Sequence, residues 1–292
     1  MWFPSRMAMR LVRFDDASVF LDRIGAYLAE REAEHNLLFG ILDALILDPT
    51  IFDGPPYLAA VLDADRVLAV ALRTPPRNLV LSEIDDRAAV DAIVADVVAF
   101  GDPIPGVVGP VEVARRFAEL FSSMAGRPHR PQMAERAFRL SRVTPPPPVA
   151  GAMRLAERRD FDLLVEWYRA FVAEALPEEV LAPHEAEKAV TRWIDLGYRR
   201  NYLWEVDGEV VSWTGVGGRT PNGIRVGPVY TPPEHRGRGY ASALVAAASQ
   251  AQLDEGLAFC FLFTDLANPT SNHIYQAIGY EPVTDIDVYV FD

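Results

Sequence analysis

The sequence predicts an α/β (α+β) protein of two tandem domains, each with a mixed, mostly antiparallel central sheet flanked by helices. Two observations predict this fold. Thr144–Pro148 contains four consecutive prolines, which lack N–H donors and stay extended, so it is a stiff linker between halves of domain size. Helix and strand patterns then recur in a similar order in both halves. The predicted division is residues 1–144, a proline-rich linker at 145–150, and residues 151–292.

The composition is that of a globular protein with one large core or two smaller ones. Half of the 292 residues are hydrophobic and 24% are charged. No apolar run approaches the roughly 20 residues of a membrane helix, and the first residues lack the basic and apolar segments of a signal peptide. We therefore expect a cytoplasmic protein with no membrane partner. The one cysteine, Cys260, excludes a disulfide or a cysteine-based metal site within one chain.

The net charge of −13 disfavours nucleic acid as a partner and favours cationic ones. The histidines also show no spacing typical of metal ligands, so no metal is expected. They are His35, His129, His184, His235 and His273.

In the second half, alternating or continuous apolar residues predict six strands. They are Met153–Leu155, Tyr202–Val206, Glu209–Val216, Ile224–Tyr230, Leu257–Thr264 and Ile286–Phe291. Asp207-Gly208 predicts a hairpin between two of them. Helical spacing starts at Phe161, with Asp160 as a possible cap. The other helices run from about Pro183 to Leu196, from a glycine-rich loop to about Leu253, and over Pro269–Ile278.

The first half repeats this order with pieces missing. Helices are predicted within residues 17–47, around Val90–Val98 and from Pro110, because proline suits the first helical position. The predicted strands are Tyr57–Leu62, Val67–Leu72, Asn78–Leu81, Val107–Val108 and Ala137–Val143.

Arg73-Thr74-Pro75 and Arg219-Thr220-Pro221 match at an offset of 146 residues. The interval from the third strand to the last helix is about 13 residues shorter in the first half, which has no glycine-rich loop. We interpret the chain as a tandem duplication whose first copy has lost a ligand site. An unrelated α/β domain is the alternative.

The glycine-rich loop, Arg236-Gly237-Arg238-Gly239-Tyr240-Ala241, follows a strand and opens a helix. Its glycines let backbone N–H groups approach a ligand closely. The start of the helix adds unpaired N–H groups and a positive dipole end, which together suit a pyrophosphate. The Gly-Lys-Ser/Thr of a P-loop is absent. A dinucleotide fingerprint needs a third glycine or alanine where Ser242 stands. A plain glycine-rich turn is the remaining alternative.

Two motifs, in the expected order, resemble those of the GNAT acetyltransferases. Arg236-x-x-Gly239-x-Ala241 is similar to the family's pyrophosphate motif, Q/R-x-x-G-x-G/A. The segment from Asn268 to Tyr280 is similar to its later motif, N-x-x-S-x-x-x-Y-x-x-x-G-F/Y. The resemblance covers roughly residues 152–292. It implies that acetyl-coenzyme A (acetyl-CoA) is the co-substrate.

The resemblance also implies roles for single residues. The strand at Arg225–Tyr230 would bind the pantetheine arm, and the bulge or bend expected at Gly227-Pro228 would open the cleft. An exposed edge strand is the alternative explanation for Pro228. The N–H of Val229 or Tyr230 would polarise the thioester carbonyl, and Tyr275 would protonate the leaving thiolate. Tyr275 as a core aromatic residue is the alternative. The predicted cofactor-binding residues are Val229, Tyr230, Thr231, Arg236, Gly237, Arg238, Gly239, Tyr240, Ala241, Ser242, Asn268 and Ser271.

The sequence does not identify a general base. Asp265, just after a buried strand, is a candidate, with capping of the following loop as the alternative. Asn268 and Ser271 also suit a helix start.

The function that follows is acetyl transfer to a primary amine of a small molecule or peptide, by a monomer or homodimer. The acidic second half favours a cationic amine. One alternative is a non-catalytic acyl-CoA-binding regulator or interaction module. Another is an acyltransferase acting on aminoacyl-tRNA, which the net charge disfavours.

Overall fold

The computed structural model describes residues 9–52, 54–101, 103–176 and 181–292. The strands of the first half are β1 (Arg10–Phe14), β2 (Tyr57–Asp63), β3 (Arg66–Arg73), β4 (Leu79–Leu81), β5 (Gly106–Pro110) and β6 (His129–Leu140). Its helices are α1 (Ala17–Glu30), α2 (Asn36–Leu47), α3 (Arg87–Phe100) and α4 (Val111–Ala125).

The second half has the same order of elements. Its strands are β7 (Ala152–Leu155), β8 (Arg199–Val206), β9 (Glu209–Arg219), β10 (Gly223–Tyr230), β11 (Phe259–Asp265) and β12 (Glu281–Phe291). Its helices are α5 (Phe161–Ala175), α6 (Pro183–Asp195), α7 (Tyr240–Asp254) and α8 (Pro269–Ala277). Each half reads strand, two helices, three strands, helix, strand, helix, strand, so the predicted fold class is confirmed.

Two compact units are present, and neither is one continuous segment of chain. The first unit consists of Met1–Ala137, Thr264–Asn268 and Val283–Asp292, and the second of Phe138–Phe263 and Pro269–Pro282. The end of the chain belongs to the first unit because β12 pairs with β5 there, from Ile286 opposite Pro110 to Val290 opposite Gly106. The units therefore share most, but not all, of their residues with the predicted domains 1–144 and 151–292.

The sheet of the first unit has the order β1-β2-β3-β4-β5-β12-β6, and β6 belongs to this unit as far as Ala137. β4 and β5 are parallel, while β1 with β2, β2 with β3, β3 with β4 and β5 with β12 form antiparallel pairs. α3 and α4 bury their apolar sides against this sheet, with Val94 and Phe117 fully inaccessible to solvent. Burial of this kind contributes roughly 25 cal/mol for each Å² of apolar surface removed from water.

The sheet of the second unit runs β11-β10-β9-β8-β7, with β10 and β11 parallel. Successive side chains of a strand point to opposite faces. Along β8, Tyr202 and Trp204 pack in the same core as α7, whereas Leu203 packs with Trp213 and with α5 and α6. The sheet therefore has an α7 face and an α5/α6 face, and each bears its own core.

Three local expectations differ from the structure. β1 was not expected; its mostly half-exposed residues give little apolar signal. β6 begins at His129, eight residues before the expected Ala137, because the polar and charged residues of that stretch mask the strand. Pro110 precedes the first helical residue of α4 rather than occupying it.

Asp160 does not cap α5 through its side chain, contrary to expectation. Its carboxylate accepts the Glu157 N–H at 2.7 Å and pairs with Arg154 at 2.8 Å. The Arg154 guanidinium lowers the pKa of this carboxyl. Asp160 therefore joins β7 to the turn before α5.

The proline-rich segment is attached to the second unit. Trp204 Nε1 donates to the carbonyl oxygen of Ala150 at 2.8 Å, and the Thr144 N–H donates to that of Ile278 at 2.9 Å. Val149 packs against the core of the α7 face. The segment is thus held in place by packing and hydrogen bonds as well as by the stiffness of its prolines.

His35, just before α2, is a buried hydrogen-bonded histidine. Its Nε2 accepts the Glu83 N–H at 3.0 Å, and Nδ1 lies 3.0 Å from the Leu28 carbonyl oxygen. Nε2 is therefore unprotonated and Nδ1 carries the hydrogen. Burial lowers the pKa of His35.

Because the folded state holds His35 with a pKa below that of the unfolded chain, His35 contributes its full stability above about pH 6.5. That contribution is lost as the pH falls below this value. We expect the free energy of unfolding in urea to fall between pH 7.5 and 5.5, with a flatter profile in His35→Gln than in the exposed control His184→Gln. Equal profiles for the two variants would contradict this account.

Candidate active site

The third strand of the second unit, β10, separates from β11 partway along its length. β10 pairs with β11 from Gly223 opposite Phe259 to Arg225 opposite Phe261, and the pairing ends there. Its pairing with β9 shifts register between Val226 and Val229. The expected bulge at Gly227-Pro228 is thus confirmed, and it follows immediately after the last β10–β11 pair.

The direction of the peptide groups after the bulge follows from side chains of β9. Thr214 Oγ1 donates to the carbonyl oxygen of Pro228 at 3.1 Å, and Ser212 Oγ donates to that of Tyr230 at 3.2 Å. Carbonyls of alternate residues point to the same edge of a strand. The N–H and C=O of Val229 therefore point to the opposite edge, where β11 has diverged.

The glycine-rich loop has the backbone conformation that its glycines permit. Gly237 has φ of 74° and Gly239 has φ of 81°, both in the left-handed region. A Cβ at Gly239 would lie 3.0 Å from Val149 Cγ1. A side chain at Gly239 would therefore meet both backbone strain and a close neighbour.

The N-terminus of α7 has no side-chain cap. Gly239 occupies the cap position, and the first intrahelical bond runs from the Ala243 N–H to the Gly239 carbonyl at 3.0 Å. The N–H groups of Tyr240, Ala241 and Ser242 precede that bond and have no acceptor within the helix. They point along the positive end of the helix dipole, which is a geometry for an anion.

Arg236 and Thr231 hold the glycine-rich loop in place through hydrogen bonds and an ion pair. Arg236 Nε donates to the Thr231 carbonyl at 2.8 Å, and its guanidinium pairs with Glu174 at 2.7 Å. The Thr231 hydroxyl lies 2.8 Å from Ser212 Oγ. Arg236 is thus engaged in holding the loop, while Arg238 is exposed.

Tyr275, on α8, is buried in the core of the α7 face, which also includes Val229 and Tyr240 at its edge. Burial raises the pKa of Tyr275 to about 12, so the phenol is protonated at neutral pH. Its ring meets that of Tyr280 edge-on, with 6.1 Å between ring centres.

Tyr280 and Cys260 are buried, and each is hydrogen-bonded to Ser249. The Tyr280 hydroxyl lies 2.8 Å from Ser249 Oγ, and Cys260 Sγ donates to the Ser249 carbonyl. Burial raises the pKa of the Cys260 thiol to about 12, so little reactive thiolate is present.

Asp265, Asn268 and Ser271 lie at the start of α8 or before it. The Asp265 carboxylate accepts the Ala267 N–H at 2.7 Å, and its carbonyl accepts the Asn268 N–H at 3.0 Å. Asp265 therefore caps the turn before α8, which was the alternative to its role as a general base. Asn268 is exposed, and Ser271 lies half-exposed in the first turn of the helix.

The first unit differs at the equivalent helix. α3 is capped by Asp86, whose carboxylate accepts the Ala88 N–H at 2.9 Å. A carboxylate there satisfies the helix N-terminus and repels phosphate.

Among the residues described, no group of three or more histidine, cysteine or acidic side chains could hold a metal ion. Within that same part of the chain, none of the helices is both long and apolar enough to span a bilayer.

Sequence reasoning missed Arg199 and Arg225, which lie on the α5/α6 face beside Gly215 and Gly217. The signal that could have revealed them is Gly215-Val216-Gly217, since two glycines inside a strand often mark the close approach of another group.

Solved structures share the fold over nearly the whole chain. A Drosophila protein has a TM-score of 0.68 at 12% identity, covering 97% of this chain and 98% of its own. A GCN5-related N-acetyltransferase from Sphaerobacter thermophilus has 0.59 at 16%, covering 99% and 96%. A tandem GNAT protein from the clavulanic acid biosynthesis pathway has 0.57 at 15%, covering 98% of both chains.

None of the curated proteins compared with the chain matches it. The model of the acetyltransferase (GNAT) family matches residues 162–280. The matched segment contains the glycine-rich loop, the uncapped helix α7 and Tyr275. Residues 162–280 therefore belong to the acetyltransferase (GNAT) family.

Proposed function

We propose that this chain is a cytoplasmic N-acetyltransferase that moves an acetyl group from acetyl-CoA to a primary amine of a small molecule or peptide. The observation that carries the proposal is the uncapped N-terminus of α7, preceded by two left-handed glycines and adjacent in sequence to the strand that separates from β11. Family membership of residues 162–280 supports acyl transfer in general.

The pyrophosphate of acetyl-CoA fits the start of α7. The N–H groups of Tyr240, Ala241 and Ser242 are the donors we assign to it, with the backbone from Arg236 to Gly239 around them. Arg238 adds a positive charge from the surface. Arg236 contributes through its backbone and by holding the loop, because its guanidinium is engaged with Glu174.

Val229 is the backbone group we assign to the thioester end. Its N–H and C=O point to the edge that β11 leaves open, whereas the Tyr230 carbonyl points to β9. The Val229 N–H would donate to the carbonyl oxygen on which negative charge develops, and a fixed donor at that place lowers the barrier. We assign Thr231 to holding the glycine-rich loop, through its bonds with Arg236 and Ser212. We assign Asn268 and Ser271, at the start of α8, to binding coenzyme A.

Tyr275 is the acid we assign to the leaving group. Acetyl-CoA supplies an acetyl group activated as a thioester. When the amine nitrogen forms the new C–N bond and the C–S bond breaks, the Tyr275 hydroxyl would give its proton to the departing sulfur. The burial that raises the pKa of Tyr275 keeps that proton available. The amine loses its proton to solvent water, because the Asp265 carboxylate already accepts the Ala267 N–H.

Calorimetric titration of acetyl-CoA into the purified protein tests the proposal. We expect one site per chain, because Asp86 occupies the helix N-terminus of the first unit where the second unit has Gly239. Two sites would contradict the assignment of the first unit as inactive. No binding would overturn the proposed function.

Thiol release from acetyl-CoA in the presence of an amine panel then separates enzyme from binding module. Turnover supports the acetyltransferase, and binding without turnover on any amine supports a non-catalytic acyl-CoA-binding regulator. Salt-sensitive binding of aminoacyl-tRNA would instead indicate an RNA substrate.

A further inference from the structure

Two arginines lie on the α5/α6 face of the second unit's sheet with a glycine between them. Gly217 on β9 is the cross-strand partner of Arg199 on β8 and also of Arg225 on β10. Facing residues two strands apart are about 10 Å from Cα to Cα. The two guanidinium side chains therefore rise from the same face of the sheet on either side of Gly217.

The absence of a side chain at Gly215 leaves room for the side chain of Arg199. A Cβ at Gly215 would lie 2.5 Å from Arg199 Cδ, so the arginine stem lies across the position of a side chain on β9. Arg199 Nη1 donates to the carbonyl oxygen of Gly227, and its guanidinium lies 5.5 Å from the ring centre of Trp193. Gly227 belongs to the bulge, two residues before Val229.

Among the described residues, the Arg199 guanidinium contacts the Gly227 carbonyl and the Trp193 ring, and no carboxylate there pairs with it. Burial, and then the positive charge of Arg225, lower the pKa of Arg199 to about 10. A half-buried cation that stays protonated at neutral pH, near a second one, attracts an anion.

The position of Arg199 and Arg225 connects them to the residue that we assign to the thioester. The Gly227 carbonyl that Arg199 holds lies on the strand segment leading to Val229, which we assign to the thioester. Trp193, the ring next to the Arg199 guanidinium, belongs to an aromatic cluster: its ring centre lies 5.7 Å from that of Trp213 and 4.9 Å from that of Tyr168. This face thus combines a planar cation with an apolar wall, and Arg199 holds a carbonyl two residues before Val229.

We propose that Arg199 and Arg225 bind a carboxylate of the acceptor, so that the amine acetylated by this chain also carries an acid group, as an amino acid does. The proposal rests on the proposed function and narrows its substrate class. It replaces the cationic amine expected from net charge, because two arginines flank Gly217 on this face although the whole chain is negative. Guanidinium groups bind carboxylates through paired hydrogen bonds, and aromatic neighbours then hold the apolar part of the acceptor.

The test uses probes that bind without acetyl-CoA. N-acetylated amino acids and their carboxamides, which differ only in the charged group, are titrated into the full chain by calorimetry. We expect at least one acid to bind on the order of 10- to 100-fold more tightly than its carboxamide. Arg199→Gln and Arg225→Gln should remove that preference. Arg200→Gln should keep it, because Arg200 pairs with Glu255 instead.

Gly215→Ala is the second variant, chosen in case the arginine variants fail to fold. Its methyl group would displace the Arg199 stem while leaving both charges in the protein. We expect the preference for the acid to fall in this variant. Equal binding of acids and carboxamides by the wild-type protein, or no binding of either, overturns the inference. The acetyl-CoA titration is a separate measurement, so it shows independently whether the proposed function stands.

Discussion

The Gly239→Glu variant is expected to lose acetyl-CoA binding, with affinity falling by more than about 100-fold. Three effects add at this position. Glutamate would have to adopt the left-handed φ of 81°, its Cβ would lie 3.0 Å from Val149 Cγ1, and its carboxylate would stand at the N–H groups assigned to the pyrophosphate. Calorimetric titration of acetyl-CoA into the variant measures the loss.

The matched control is Gly256→Glu, just beyond the other end of α7. Gly256 has φ of +95°, and a Cβ added there would meet no atom within 4 Å, so the backbone cost is similar and the added charge is the same. We expect this control to bind acetyl-CoA as the wild-type protein does. Unchanged affinity in Gly239→Glu would remove the pyrophosphate assignment, whereas equal losses in both variants would attribute the effect to folding.

The Tyr275→Phe variant is expected to lower kcat by about 100-fold or more while leaving the affinity for acetyl-CoA nearly unchanged. Phenylalanine keeps the ring that packs in the core and removes the proton assigned to the leaving sulfur. Because burial raises the pKa of Tyr275 to about 12, the wild-type enzyme should also show no loss of rate from this group below about pH 10. Steady-state kinetics across pH with a productive amine provide both readouts.

Tyr280→Phe separates catalysis from packing. Tyr280 contacts the Tyr275 ring, and its hydroxyl lies 2.8 Å from Ser249 Oγ, so its loss is expected to cost about 1 kcal/mol of stability. We expect kcat of this variant to stay near the wild-type value. Full activity of Tyr275→Phe would transfer the acid role to another group, and an equal loss in both variants would indicate a packing effect.

Much of the fold could be predicted because its signals are local. The hairpin at Asp207-Gly208, the proline run and the apolar periodicities each depend on neighbouring residues, and the strands and helices they predicted are present. β1 and the first part of β6 could not be predicted in this way. The backbone of each joins the sheet beside a strand far along the chain, β1 beside β2 and β6 beside β12.

Much of the candidate site could also be predicted from the sequence, but the roles of individual backbone and side-chain groups could not. The glycines of the loop, the start of α7 and Tyr275 lie in contiguous motifs whose spacing is tied to a strand–loop–helix unit. The choice between Val229 and Tyr230 needed the hydrogen bonds from β9. Likewise, the engagement of Arg236 with Glu174 brings together residues 62 positions apart, which no local pattern predicts.

The sequence by itself determined the mixed α/β fold, the glycine-rich start of α7 and the position of Tyr275 on α8, because backbone conformation and helical spacing depend on adjacent residues. Only the tertiary structure decided that β12 belongs to the first unit and that Arg199 and Arg225 flank Gly217. The physical reason is strand register. It is set by pairing between distant segments, and it alone determines which side chains share one face of a sheet.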